Sequence, residues 1–420
     1  MSRGRNEPYV ASGERLISGP FLVVTFTAFA FFTYIGILIP VVPLFIEGPI
    51  DAGEFGIGLN IAVFALAAVL ARPIIGRIAD ARGRRFVIVT GAMLAAAGGA
   101  LAGQADSLTI LLACRALTGV GEAAVFVGAA TLIADLSPRA RRAEGASYFS
   151  VAVFTGVGFG PIIGEFVLDD TRFEEAFLVG AGFALLAALV AVFAPARVVS
   201  PDAVSDDGPA RRDPADVVGW RRFVHPVAVM PGLVLACGVG GLTTFFAFAP
   251  EYSRSVGLSS SGGIFLAYSL VSLLVRLFGA RLPEQMGPRR AVTVALSLIA
   301  AGLLVFATIP QVWALWVGAV MVGLGVAFNY PSLMALTVNR VHDDERAMAV
   351  SSFTMFFEVG SATSGILVGA FAQIVGKQTG FLGGVAFCLL GLWLLRTRVV
   401  PAGSSDAGPT VTTPAPAAAD

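Results

Sequence analysis

Two charged residues stand seven positions apart in an apolar stretch of the chain. Arg115 and Glu122 lie in the run LTILLACRALTGVGEAAVFVGAATLIADL. Leaving an arginine in lipid costs at least about 3 kcal/mol, so Arg115 is expected to face a cavity or a carboxylate. Seven helical residues make close to two turns, which puts both charges on one face about 10 Å apart along the axis. We expect water or another helix to join them, because a direct contact is too long.

Glu122 is the residue whose chemistry the sequence indicates most clearly. Burial favours the neutral form of a carboxyl, whereas a nearby arginine favours the ionised form. A carboxyl that meets both influences in turn can bind and release a proton, as proton coupling requires. A permanent ion pair with Arg115 that only holds helices together is the alternative. Glu358, in another apolar stretch, is the second candidate, with a structural hydrogen-bonding acid as its alternative.

A repeat at an offset of 204 positions runs through the chain without gaps. The recurring pairs are Arg72 and Arg276, Gly83 and Gly287, Gly119 and Gly323, Gly121 and Gly325, Ser147 and Ser351, Gly156 and Gly360, and Glu47 and Glu251. Glu358 has no counterpart, because Phe154 occupies its repeat position. Paired arginines at membrane depth indicate two copies of one helical unit that face each other across a cleft. Such a repeat can position a transporter's site near the bilayer midplane.

The composition is that of a polytopic membrane protein. Hydrophobic residues make up 56% of the 420 residues and charged residues 13%, with a mean hydropathy of +0.82. Apolar runs of about 20 residues, the length that crosses a bilayer, occur twelve times. The predicted spans are 20–46, 56–75, 86–104, 108–134, 145–168, 174–194, 226–250, 260–280, 290–309, 312–338, 347–375 and 379–395.

The distribution of basic residues predicts the orientation. With both termini in the cytoplasm, 22 of the 28 basic residues lie on the cytoplasmic side, as the positive-inside rule requires. The cell membrane is the expected location. The predicted domains are a cytoplasmic N-terminus (1–19), a six-helix bundle (20–196), a cytoplasmic linker (197–222), a second six-helix bundle (223–398) and a disordered cytoplasmic tail (399–420). The expected fold class is an all-α membrane protein of two six-helix bundles related by pseudo-two-fold symmetry.

A basic segment between the second and third spans is the most specific motif. It runs from Arg72 to Arg85 as RPIIGRIADARGRR, and a degenerate copy follows the eighth span. The segment resembles motif A of the major facilitator superfamily, and this resemblance extends over residues 16–398. It implies that Gly76, Asp80, Gly83 and Arg84 control a cytoplasmic gate. Asp80 would then lie near the start of the eleventh span, around position 347, with Asp135 and Glu144 as nearby acids.

Two further motifs resemble those of the same family. Arg115 with the glycines at 119 and 121 is similar to motif B, whose arginine is linked to proton coupling. The fifth span resembles motif C of the exporter branches, in which close helix packing would involve Gly156, Gly160, Pro161 and Gly164. Ser147 and Glu165 depart from that motif, each standing where a glycine is typical. The resemblance implies a twelve-helix, proton-coupled antiporter.

Aromatic and polar residues on four spans are candidates for the wall of a central cavity. They are Phe29, Tyr34, Phe246, Asn329, Tyr330 and Phe357. Such a wall suits a small apolar or aromatic substrate. The interpretation is therefore alternating-access efflux of small hydrophobic drugs or metabolites in exchange for protons.

Two alternatives stay open, because one fold serves many substrates in either direction. One is a nutrient or metabolite symporter or facilitator, and the other is a non-transporting sensor or scaffold. Nothing in the sequence indicates an enzyme, a cofactor, a metal site or nucleic-acid binding. The expected partners are the small-molecule substrate, protons and the lipid bilayer, and the chain is expected to be a monomer.

Overall fold

A computed structural model describes most of the chain. The described residues are 9–10, 16–138, 141–169, 171–196, 198–199, 224–278, 285–341 and 346–399. The predicted linker falls outside them except at 198–199, and the predicted tail falls outside them beyond 399. The predicted N-terminal segment is described at 9–10 and from 16 onward.

Twelve long helices make up nearly all of the described structure, which confirms the predicted all-α class. The first six are α1 (Gly19–Glu47), α2 (Gly53–Arg82), α3 (Arg84–Ala102), α4 (Leu108–Leu136), α5 (Arg142–Leu168) and α6 (Phe173–Ala191). The second six are α7 (Pro226–Ser255), α8 (Gly262–Phe278), α9 (Pro288–Thr308), α10 (Val312–Val338), α11 (Arg346–Val375) and α12 (Lys377–Leu394). A π-helical turn at Leu395–Val399 follows α12, and strand β1 (Tyr9–Val10) pairs in parallel with β2 (Val198–Val199).

Eleven of the described helices are long and apolar enough to cross a membrane. The shorter one is α8, an apolar helix of 17 residues. At about 1.5 Å per residue it is about 26 Å long. That length is close to the roughly 30 Å of hydrocarbon in a bilayer, so α8 fits the twelve-span prediction.

The second helix is longer than its predicted span. α2 continues to Arg82, so most of the basic segment predicted as a turn is helical. The turn itself is the single residue Gly83, whose φ of 92° is readily adopted only by glycine. Its repeat mate Gly287 has a φ of 78° and precedes α9 in the same way.

Helices α1 and α7 occupy the interior of the molecule. In the most apolar 18-residue stretch of each helix, 83% of the residues of α1 and 89% of those of α7 are buried. The corresponding share is at most 56% in the other candidate spans. α1 packs on α5 and α6, and α7 packs on α11 and α12. The first six helices meet the second six mainly where α2 packs on α11 and α5 packs on α8.

The repeat of the sequence is also a repeat of contacts. A Cβ built on Gly119 would clash with the backbone of Phe64, and one built on Gly323 would clash with the backbone of Tyr268. Both members of each contact are 204 positions from their mates. Because the same close approach recurs, the two sets of six helices share one internal packing.

Candidate coupling and substrate site

An ion pair joins the two halves in the middle of the molecule. Arg72 of α2 donates a hydrogen bond from Nη2 to Oε1 of Glu358 in α11. The two side chains are 13% and 10% exposed. Nε of Arg72 and Oε2 of Glu358 are buried without a hydrogen-bond partner among the described residues. The pair therefore keeps a spare donor and a spare acceptor for a further ligand.

Glu122 is the third member of this group. Its side chain on α4 is buried, 9% exposed, and it interacts electrostatically with Arg72 and with Glu358. The guanidinium carbon of Arg72 also lies 5.5 Å from the ring centre of Phe126, four residues along α4. We call Arg72, Glu122 and Glu358 the central charge cluster. Arg72 forms an ion pair with Glu358 and interacts electrostatically with Glu122.

The described residues show no direct contact between Glu122 and Arg115, and α2 is a helix that both residues meet. Arg115 instead lies 4.6 Å from the ring centre of Phe64 and interacts with Tyr34. Its Nε and Nη1 are buried without a hydrogen-bond partner among the described residues. Residues that share one helical face can still meet different side chains of a neighbouring helix, and α2 supplies the cation that Glu122 meets.

Tyr34 does not line a central cavity here, contrary to expectation. It is fully buried, and its hydroxyl donates to the carbonyl of Ala95 in α3 at 3.1 Å. Its ring fills space left by Gly99 of α3 and Gly180 of α6. Tyr34 is thus a core residue of the first six helices.

Tyr330 is the predicted cavity residue that the structure brings to the charges. It is half-buried on α10, and it interacts with Arg72, Glu358 and Arg276. Its ring centre is 5.6 Å from that of Phe353. Tyr330 is therefore near both the central charge cluster and the arginine of the second half.

The other predicted cavity residues are spread more widely. Asn329 is 4% exposed and packs against Gly238 of α7, with its Oδ1 buried and without a hydrogen-bond partner among the described residues. Phe29 and Phe246 are half-buried, and Phe357 is 40% exposed. None of these four has a charged side chain as a described partner.

Arg276 has an aromatic partner where Arg72 has an acid. Its guanidinium carbon lies 3.8 Å from the ring centre of Phe154 on α5. Phe154 and Glu358 are repeat mates, as are the two arginines. The same position in the two halves thus carries an ion pair on one side and a cation–π contact on the other.

One end of the molecule is closed by polar contacts between the halves. Lys377, at the start of α12, forms ion pairs with Glu47 of α1 and with Glu251 of α7. Oε1 of Glu165 accepts from the hydroxyl of Ser261 and, at 3.0 Å, from its backbone N–H. Glu165 also lies 3.7 Å from Arg254. We call this the closed end.

The opposite end carries the basic residues of motif A, and we call it the basic end. Asp80 has no partner among the described residues of the second half: its side chain is 81% exposed and 4.0 Å from Arg84 of its own half. The expected docking position, 347, lies outside the side chains that the structure describes. Arg84 does pair with Asp135 at 3.4 Å, as the predicted network requires, whereas Glu144 pairs with Arg141 at 2.8 Å.

Motif C packs α5 against α1. A Cβ on Gly156, Gly160 or Gly164 would lie closer than 3.0 Å to the backbone of α1. Pro161 lies inside α5, and its carbonyl oxygen is near Gly262 of α8. The close helix packing expected of these glycines is therefore present in the structure.

The Arg72–Glu358 and Lys377 pairs were not predicted from the sequence. In the sequence Glu47 and Glu251 stand out only as repeat mates, and Lys377 is the one lysine of the 420-residue chain. The sequence feature that could have indicated the Lys377 pairs is that this lysine is the single one among 28 basic residues. For Arg72, the signal was an arginine at membrane depth, which requires a partner.

Comparison with known proteins identifies the family. The sequence profile of the Major Facilitator Superfamily matches residues 24–303 and 259–419. An uncharacterized MFS-type transporter of Salmonella typhimurium, STM4428, is 27% identical over 87% of this chain and 93% of its own length. The quinolone resistance protein NorA of Staphylococcus aureus is 26% identical over 57% of this chain, and the match spans 62% of NorA.

Solved structures show the same fold. The nucleoside transporter NupG superposes with a TM-score of 0.74 at 14% identity, over 90% of this chain and 99% of NupG. A bacterial homolog of the human lysosomal transporter Spinster, inward-facing and unoccupied, superposes with a TM-score of 0.70 at 18% identity, over 91% of this chain and 97% of that one. The family predicted from motif A is thereby confirmed. The chain belongs to the major facilitator superfamily and is a multi-pass membrane transporter of a small molecule, not an enzyme.

Proposed function

We propose that the protein is a proton-coupled exporter that exchanges protons for small, largely hydrophobic molecules. The observation that carries this proposal is the central charge cluster, in which Arg72 pairs with Glu358 and the buried Glu122 interacts electrostatically with both. With both acids ionised, the cluster has one negative charge in excess. A low-dielectric environment disfavours that excess, and a bound proton removes it.

Proton binding at this cluster is linked to the position of the two halves. Arg72 belongs to the first half and Glu358 to the second. A protonated Glu358 loses its ionic attraction to Arg72, so protonation weakens a contact between the halves. A proton can thus change the balance between two arrangements of the bundles, because it binds one arrangement better than the other.

The polar contacts support an assignment of the state. The closed end is held by Lys377 and Glu165, while Asp80 at the basic end is exposed. In the proposed topology the basic end and both termini face the cytoplasm, since positive residues are retained there. This arrangement is then open to the cytoplasm, with the acids deprotonated and the site ready for substrate. The bundles 20–196 and 223–398 are the two moving parts.

Export is favoured over uptake by two observations. The glycines of motif C, which is typical of exporter branches, pack α5 against α1 as that motif requires. A relative matched over 57% of the chain is a quinolone resistance protein. We infer that the substrates are drug-like or metabolite-like compounds, and that the transporter lies in the plasma membrane as a monomer.

A reconstituted system tests the proposal. The protein is placed in liposomes with a pH-sensitive dye inside, and proton movement is recorded on adding anionic, neutral and cationic hydrophobic compounds. Wild type is expected to move protons when a substrate is added, and Glu122→Gln and Glu358→Gln are expected to reduce that movement at least tenfold. Glu175→Gln, an exposed change in the first turn of α6, is the matched control.

Two outcomes would count against this function. Substrate flux without proton movement in the wild type would leave a facilitator. Proton movement that survives in both cluster variants would remove Glu122 and Glu358 from the coupling mechanism.

A further inference from the structure

The second half of the molecule carries a cation whose counterion is missing from the described residues. Arg276 occupies the repeat position of Arg72, yet Phe154 stands where the repeat would have supplied an acid like Glu358. No carboxylate of the described residues lies within ion-pair distance of Arg276, and its Nε is buried without a hydrogen-bond partner there. The two arginines occupy equivalent positions in the repeat. They differ in the side chain that faces them, which is an acid for Arg72 and a phenyl ring for Arg276.

The surroundings of Arg276 are aromatic. The ring of Phe154 lies against the guanidinium, with the ring centre 3.8 Å from its central carbon. Tyr268, which is 2% exposed, and the half-buried Tyr330 both interact electrostatically with Arg276. An aromatic ring attracts a cation but accepts no strong hydrogen bond, so the guanidinium keeps its hydrogen-bonding capacity.

The two acids of the central charge cluster are associated with Arg72 and not with Arg276. Glu358 forms its ion pair with Arg72, and Glu122 interacts electrostatically with Arg72. A partly buried cation without a counterion is unfavourable, and an anionic ligand is the simplest compensation.

We propose that Arg276 is the substrate-binding arginine and that the substrates are organic anions with an aromatic or apolar body. This inference rests on the proposed transport function and narrows its substrate class. The carboxylate or sulfonate of the substrate pairs with the N–H groups of Arg276, whose planar fork suits such groups. The apolar body lies against Phe154 and Tyr330. Tyr330 also interacts with Arg72 and Glu358, so an anion bound here is near the proton-binding acids.

The repeat supplies a designed control. Phe154→Glu puts a carboxylate beside Arg276 in the way that Glu358 stands beside Arg72. The internal carboxylate then competes with a substrate anion, while the charge of Arg276 is compensated and folding is preserved. Arg276→Lys keeps the positive charge but lacks the planar guanidinium with its parallel N–H groups. Arg276→Gln removes the charge.

The experiment measures equilibrium binding to the full chain in lipid nanodiscs. The probes are matched triplets built on benzene, naphthalene and biphenyl bodies, each carrying a carboxylate, a carboxamide or an aminomethyl group. Binding is followed by the shift of the thermal unfolding midpoint and, for compounds that shift it, by calorimetry. Carboxylates are expected to bind wild type at least tenfold more tightly than their carboxamides. Phe154→Glu and Arg276→Gln are expected to weaken carboxylate binding at least tenfold, and Arg276→Lys less.

The proposal is overturned if no carboxylate of the panel binds, if amines or amides bind as tightly as carboxylates, or if Phe154→Glu binds carboxylates like wild type. Binding at equilibrium requires neither a proton gradient nor turnover. A failure here therefore leaves the test of proton exchange intact, and a failure of proton exchange leaves this one intact.

Discussion

Arg72 of α2 and Glu358 of α11 form an ion pair between the two halves of the transporter at a position where the repeat mates of both residues form a cation–π contact. The repeat thus conserves the two arginines and changes what faces them. On one side the charge is met by an acid that can be protonated. On the other side it is met by Phe154, and the charge stays available for a ligand.

The first prediction is that the two arginines differ in their effect on stability. Removing Arg72 leaves two acids without their cation, so Arg72→Gln should lower the free energy of unfolding by on the order of 3 kcal/mol. Glu358→Gln leaves Arg72 with Glu122 and should lower it by less. The double variant should cost less than the sum by at least about 1 kcal/mol. Unfolding in mixed micelles, followed by tryptophan fluorescence, measures these values.

Arg276→Gln is the comparison for that cycle. It removes a cation that has no described counterion and leaves no unpaired charge behind. Its expected cost is below about 1 kcal/mol, since buried functional charges are commonly held at the expense of stability. A cost as large as that of Arg72→Gln would show that an acid does compensate Arg276.

The second prediction concerns the closed end, where the repeat mates Glu47 and Glu251 both bind Lys377. Only the Glu47 pair crosses between the halves, because Glu251 and Lys377 both belong to the second half. Glu47→Gln and Lys377→Gln should therefore loosen the closed end, whereas Glu251→Gln should have a smaller effect.

Spin labels on cysteines introduced at positions 55 and 373 measure that loosening. The backbone N–H of Phe55 donates to Gln373 at 3.1 Å, so these positions face each other across the halves. Glu47→Gln and Lys377→Gln should increase the population with a long label distance. If Glu251→Gln increases it as much, the link between the halves does not depend on the Glu47 contact.

The fold was largely predictable from the sequence because bilayer thickness fixes the length of each helix. The twelve apolar runs and the repeat predicted the helices and their division into two sets of six. The end of α2 was predicted too early, at 75, because the basic residues after it were interpreted as a turn. Charges do not end a helix by themselves, and α2 stops at Gly83, where the backbone changes direction.

The candidate site was predicted less well, because its contacts cross between distant helices. Arg72 and Glu358 are 286 positions apart, and no local spacing connects them. The sequence predicted water or another helix between Arg115 and Glu122 but could not identify the helix; in the structure α2 places Phe64 against Arg115 and Arg72 near Glu122. The sequence likewise could not show that the hydroxyl of Tyr34 donates to a backbone carbonyl inside the core and does not face a cavity.

The third prediction uses glycines to separate folding from gating. A Cβ on Gly160 would lie 2.5 Å from the Cα of Gly36, whereas a Cβ on Gly76 or Gly182 would meet nothing within 4 Å. Gly160→Ala should therefore destabilise the protein by about 1–3 kcal/mol through overpacking. Gly182→Ala, inside α6, should be neutral or stabilising by up to about 1 kcal/mol, because alanine favours the helix.

Gly76→Ala should change the free energy of unfolding as little as Gly182→Ala does. Unlike Gly182→Ala, it should lower the transport rate. Motif A is proposed to close the basic end, and that end is free of described contacts at Gly76 in this state. When the halves approach there, a side chain at 76 is in the way, so the variant should fold normally and transport at least several-fold more slowly. Unfolding and proteoliposome flux are measured on the same preparations, with Gly182→Ala as the control. Wild-type flux in Gly76→Ala would mean that closure of the basic end does not bring another element against Gly76, and the role proposed for this glycine would be withdrawn.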